Sequence, residues 1–142
     1  MIKTFRGLLD DGEQDTIRLS TNNGLIGYRI VKFLIMGNNP GTTDYLHIVK
    51  IYKRAQASVT NTVDFSDQAL VGAAYLQEHN SPAYVSSLEV ILQSDIVNQD
   101  LYITHIDTEG ALAANYYIEL EQVKLDVSEA AVATLKDMRG TE

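Results

Sequence analysis

Residues 26–54 constrain this chain more than any other stretch. They hold two long apolar-rich runs, 26–36 and 45–53, on either side of Gly37-Asn38-Asn39-Pro40-Gly41-Thr42-Thr43. Ile30, Val31, Phe33, Ile35, Ile48, Val49, Ile51 and Tyr52 are β-branched or aromatic. Such side chains lose rotamer freedom in a helix and fit a pleated, half-buried surface. Period-two alternation puts Val31, Phe33 and Ile35 on one face, and Ile30, Leu34 and Met36 on the other. In the second run Tyr45, Val49 and Ile51 alternate with Leu46, Ile48, Lys50 and Tyr52. Pro40 fixes its own φ and biases Asn39 to extended backbone, while the flanking glycines permit positive φ. The stretch therefore predicts a β-hairpin.

The same reasoning continues along the chain. Alternation predicts strands over 3–9, 16–21, 87–94, 101–106 and 115–125, and a short alternating piece around Val63 and Phe65. Residues 67–77 fit a capped helix or a buried strand. Gly72 weakens the helix, and a strand is the expectation. Asn22-Asn23-Gly24, residues 77–83 around Pro82, 95–100 and 107–114 read as turns and loops. Near residue 126 the period changes. Asp126-Val127-Ser128-Glu129 matches a capping box, Val127, Ala131, Leu135 and Met138 fall on one helical stripe, and Gly140 suits a stop. A helix over about 127–139 should pack its stripe on the sheet or on a neighbouring copy.

Chain length sets the scale: 142 residues make one domain, 1–142, with strands inside 3–125. The expected fold is mostly β, an antiparallel β-sandwich with one C-terminal α-helix, a jelly roll being one topology that fits. No apolar run approaches the ~20 residues that span a bilayer, so no membrane partner is expected. No basic segment precedes an apolar one near Met1, so no signal peptide is expected. The absence of cysteine excludes disulfides and cysteine-based zinc sites. The net charge of −8 argues against specific nucleic-acid binding.

That charge is unevenly placed. Residues 25–63 carry Arg29, Lys32, Lys50, Lys53 and Arg54 against Asp44 alone, while acids dominate from Asp64 onward. The pattern reads either as solvated faces or as a self-complementary surface that orients copies. Tyrosine suits interfaces and cores alike. The candidate assembly interface is Arg29, Lys32, Tyr45, Lys50, Tyr52, Lys53, Arg54, Tyr116 and Tyr117.

Catalytic motifs are missing. There is no nucleophile elbow, phosphate loop or dinucleotide fingerprint. The acidic turn at 10–15 lacks the spacing of a calcium loop. Glu119 and Glu121 share a strand face and could form a carboxylate pair, but they read better as solvated. His47, His105 and Asp107 could assemble a metal site only if their strands were neighbours. No catalytic residue, cofactor or metal is expected.

Residues 2–9 through Gly27-Tyr28-Arg29-Ile30-Val31-Lys32-Phe33, and Asn115-Tyr116-Tyr117-Ile118-Glu119-Leu120-Glu121-Gln122-Val123-Lys124-Leu125 with its following helix, resemble small structural proteins of marine bacteriophages. The likeness covers about half the chain. It implies a virion component made in the host cytoplasm: a small capsid shell protein, or a minor or decoration capsid protein. Its partners would be further copies of itself and other virion proteins. A carbohydrate- or host-surface-binding β-sandwich module is the alternative, and a small enzyme using Glu119, Glu121 or His105 the third reading.

Overall fold

The computed structural model describes residues 1–21, 23–41, 44–92 and 96–139. Asn22, Thr42, Thr43 and residues 93–95 of the expected turns and strand end, and the helix stop at Gly140, lie outside the described residues. The elements run β1 (Ile2–Leu9), β2 (Gln14–Ile17), β3 (Ile26–Gly37), β4 (Tyr45–Tyr52), β5 (Leu70–Asn80), β6 (Ala83–Ile91), β7 (Leu101–Asp107), β8 (Ala114–Lys124) and α1 (Val127–Arg139). All strand pairs are antiparallel. One sheet has the order β1-β8-β3 and the other β2-β7-β4-β5-β6. The fold is the expected antiparallel sandwich with a C-terminal helix.

The strand order is close to a jelly roll. A long antiparallel hairpin wound into two sheets pairs strand 1 with 8, 2 with 7, 3 with 6 and 4 with 5. Here β1 pairs β8, β2 pairs β7 and β4 pairs β5. The departure is β6, which pairs with β5 instead of β3, though it still lies close to β3. The sheets bury Phe33, Ile35, Val49, Ile51, Ile103, Ile118 and Leu120 between them, together with Tyr28, Tyr45 and Tyr116.

Three expectations are corrected. First, residues 26–54 are not a hairpin: β3 lies in the three-stranded sheet and β4 in the five-stranded one. Turn-rich connections look alike in sequence whether the chain doubles back or arches to the other layer. The arch brings the Tyr45 ring against Gly37, where a Cβ would sit 2.7 Å from the ring, so only glycine fits.

Second, β3 is bulged. Ile30 opposes Leu120 and Lys32 opposes Glu119, leaving Val31 without an opposite residue. Ile30 is therefore buried with Phe33 and Ile35, and Val31 turns outward beside Lys32.

Third, the α1 stripe does not pack on the sheet, one of the two places expected for it: the helix turns another face to the sandwich. The capping box forms, with Glu129 N donating to Asp126 at 2.7 Å and Asp126 N to Glu129 at 3.3 Å. Yet Ala130, Ala133 and Asp137 face inward, while Val127, Leu135 and Met138 are exposed. Small residues let the helix approach Leu125 closely. The buried Asn98 amide then reaches the carbonyls of Gly24 and Ala130 and the Thr134 hydroxyl, and Asn98 N donates to Asp137. Polar bonds, rather than the apolar stripe, set the orientation.

Candidate functional site

The nine residues expected at an assembly surface separate into two groups. Tyr45, Lys50, Tyr52, Lys53 and Tyr116 are buried; Arg29, Arg54 and Tyr117 are partly exposed, and Lys32 is exposed. Tyr45 points into the core, where burial, then its bond to the Glu78 carboxylate, holds its hydroxyl well above the usual tyrosine range. Lys50 lies on the face opposite Val49 and Ile51, but the loop over 53–69 folds across it. Its Nζ donates to Thr62 O at 2.6 Å and sits 5.5 Å from the Tyr52 ring centre. Burial lowers the Lys50 pKa, with Asp67 opposing the shift. Lys53 is drawn under α1, where its Nζ lies 3.7 Å from Asp137. Burial raises the Asp137 pKa despite Asn98 and Lys53. Lys50 and Lys53 are thus internal side chains, and the basic stretch 25–63 is not one charged surface.

Arg29, Lys32 and Tyr117 meet on the outer face of the three-stranded sheet, while Arg54 follows β4 of the other sheet. The registers of β1, β8 and β3 stack four rows: Leu8, Asn115 and Met36; Arg6, Tyr117 and Leu34; Thr4, Glu119 and Lys32; Ile2, Glu121 and Arg29. One end is apolar around a groove of about 730 Å³ lined by Arg6, Leu8, Leu34, Met36 and Tyr117. The other end alternates in sign. Arg29 lies 3.8 Å from Glu121, and the Tyr117 hydroxyl donates to Glu119 at 2.6 Å, raising the tyrosine pKa. Glu119 and Glu121 each have a protein partner and form a salt-laced face, not an acid–base pair astride a cleft.

A second cluster is internal. The β4–β7 register puts His47 opposite Asp107, and His105 two positions away on the same inward face. The two imidazoles are fully buried, with His47 Nδ1 2.9 Å from His105 Nε2. His105 Nδ1 lies 3.0 Å from Asp10 O. A carbonyl only accepts, so His105 Nδ1 carries the hydrogen, Nε2 accepts, and His47 Nδ1 donates to it. His47 Nε2 is left without a hydrogen-bond partner, and the ring stacks on Tyr45 at 4.4 Å. Burial, then His105, pushes the His47 pKa down to about 4 against the pull of Asp107 and Asp11. The ring is neutral at pH 7, so its 3.9 Å approach to Asp107 is not an ion pair.

Asp107 is committed to backbone. Oδ1 accepts from Leu46, Glu109 and Gly110 N–H, and Oδ2 from Leu112 N–H. Burial raises its pKa, but these four donors outweigh it and hold the carboxyl below its usual range. The strands are neighbours, as a metal site would require, yet among the described residues no group of three His, Cys, Asp or Glu side chains could hold an ion. The cluster ties the turn after β1 and the loop after β7 to β4.

Sequence reasoning passed over the exposed side of the edge strand β6, with Tyr84, Val85 and Leu88, and over Val132 on α1, which lies off the stripe of Val127, Ala131, Leu135 and Met138. No protein-family model matches this chain, and no curated protein sequence matches it.

Proposed function

We propose that this chain is a non-enzymatic structural protein of a virion, one that self-assembles or binds a capsid lattice. The observation that carries the reading is the apolar surface left open on a completed sandwich: Leu34 and Met36 on one sheet, Val85 and Leu88 on the edge strand, Val132 and Leu135 on the helix. Soluble monomers rarely expose such groups in contiguous patches, and interfaces between copies use them. Apart from β6, the strand order follows the jelly roll found in viral capsid domains, which supports the reading by analogy of fold. The resemblance of residues 2–9, 27–33 and 115–125 to phage structural proteins points the same way. A virion protein of this kind would be made in the host cytoplasm and carried in the particle.

Light scattering on size-exclusion eluates, over a range of protein concentration and salt, tests this together with negative-stain microscopy. Association that grows with concentration, and discrete particles, are the expected result. A strict monomer at every concentration removes self-assembly.

A carbohydrate- or host-surface-binding module is the second reading. Tyr84 is exposed, its ring stacked at 5.1 Å on His79, which lies 3.5 Å from Asp44. An aromatic face beside polar groups can pack on a sugar ring. A monomer that binds defined glycans on an array, and loses them with Tyr84→Ala, would move the assignment there.

A further inference from the structure

We infer that the outward face of α1 is a two-fold contact, on which the α1 helix of a second copy packs antiparallel. This rests on the assembly reading above and names one of its surfaces. The inward side of the helix is fixed by Ala130, Ala133 and Asp137. The side pointing directly away from the sandwich therefore carries Ser128, Val132 and Leu135, with Val132 54% and Leu135 57% exposed. Spacings of four and three are those of a seam between two helices.

What flanks the seam commits the partner. Glu129 and Lys136, seven residues apart, lie along one border, and Ala131 and Met138 along the other; all four are exposed. In an antiparallel pair, Val132 of one helix meets Leu135 of its partner. Glu129 then lies opposite Lys136, twice by symmetry, and Ala131 opposite Met138. A parallel pair would set the Glu129 and Lys136 border against the Ala131 and Met138 border of the partner, so that neither charge would meet its opposite. The helix dipoles also favour the antiparallel sense. The surface is thus complementary to itself in one orientation.

The contact is small. Thirteen residues make a helix of about 20 Å, short of what the ~1,600 Å² of a standard interface requires. It gains strength where other contacts hold the same copies, as in a shell or lattice.

The chain's lack of cysteine makes a direct test simple. An equal mixture of Val132→Cys and Leu135→Cys chains, mildly oxidised, should yield the mixed disulfide dimer. Ser128→Cys should not cross-link to itself, since the antiparallel pair separates those positions by about 16 Å. Leu135→Glu keeps helix propensity at an exposed site and should weaken self-association at least about tenfold, with thermal unfolding of the dilute protein unchanged. Efficient Ser128→Cys cross-linking would overturn the antiparallel pairing. If the wild-type chain assembles, but Leu135→Glu assembles equally well and no mixed disulfide forms, the helix contact is wrong and the assembly reading stands. A wild-type chain that is monomeric at every concentration overturns the helix contact together with self-assembly, and leaves only binding to a lattice of another protein.

Discussion

His47 shows how much one residue's surroundings decide. In sequence it is a histidine inside a strand, with nothing to distinguish a surface ring from a core one. Its partners arrive from elsewhere in the chain: His105 and Asp107 from β7, and Asp11 from the turn after β1. Tyr45 on its own strand stacks against it. Its pKa falls from 6.5 to about 4 on folding. Between those values the unfolded chain binds the extra proton, so stability rises with pH across the window and is lost as pH falls from 6.5 toward 4. The full shift corresponds to about 3 kcal/mol. Asp137 opposes this: its raised pKa makes the folded chain hold a proton more readily, which favours folding as pH falls. Urea denaturation of the wild type at pH 7 and pH 4.5 should show a lower midpoint in acid, and His47→Phe should flatten that difference in an Asp137→Asn background. An undiminished acid loss in that variant would show that other groups titrate.

At the scale of elements, α1 separates what is local from what is not. Its start was legible because a capping box is written in four consecutive residues, and both of its hydrogen bonds form. Its orientation was not legible, because it depends on Asn98, a loop residue far away in sequence. The Asn98 amide is fully buried and serves two carbonyls and a hydroxyl. Asn98→Ala should therefore cost about 2–3 kcal/mol, since the Gly24 carbonyl and the Thr134 hydroxyl lose this donor and a fully buried side chain is removed. Hydrogen exchange should speed up along α1 more than along β8 if the amide is what docks the helix. The bulge in β3 teaches a related lesson. Alternation assigned Val31 to the core until one extra residue shifted the phase, and nothing in the local sequence marks the shift.

For the whole molecule, alternation and turn residues made the class of fold legible, while the pairing of strands was not. β1 with β8, and β2 with β7, join segments from opposite ends of the chain, and no local pattern specifies such partners. The apparent hairpin at 26–54 failed for that reason, and the charge argument built on it changes accordingly. Lys32 projects from an outer sheet face, whereas Lys50 is only 2% exposed beneath the loop over 53–69. The two lysines should respond in opposite ways to reversal. Lys32→Glu should leave unfolding within about 0.5 kcal/mol of wild type. If the outer sheet face joins copies, its effect appears in association at 0.1 M salt, where charges act over ~10 Å, and fades at 1 M. Lys50→Glu replaces a donor to Thr62 O with a buried anion and should destabilise the monomer by more than about 3 kcal/mol at either salt. Equal stability losses for the two variants would mean that the loop does not cover Lys50 in solution. Salt-independent association of Lys32→Glu, matching wild type throughout, would confine assembly to the apolar surfaces.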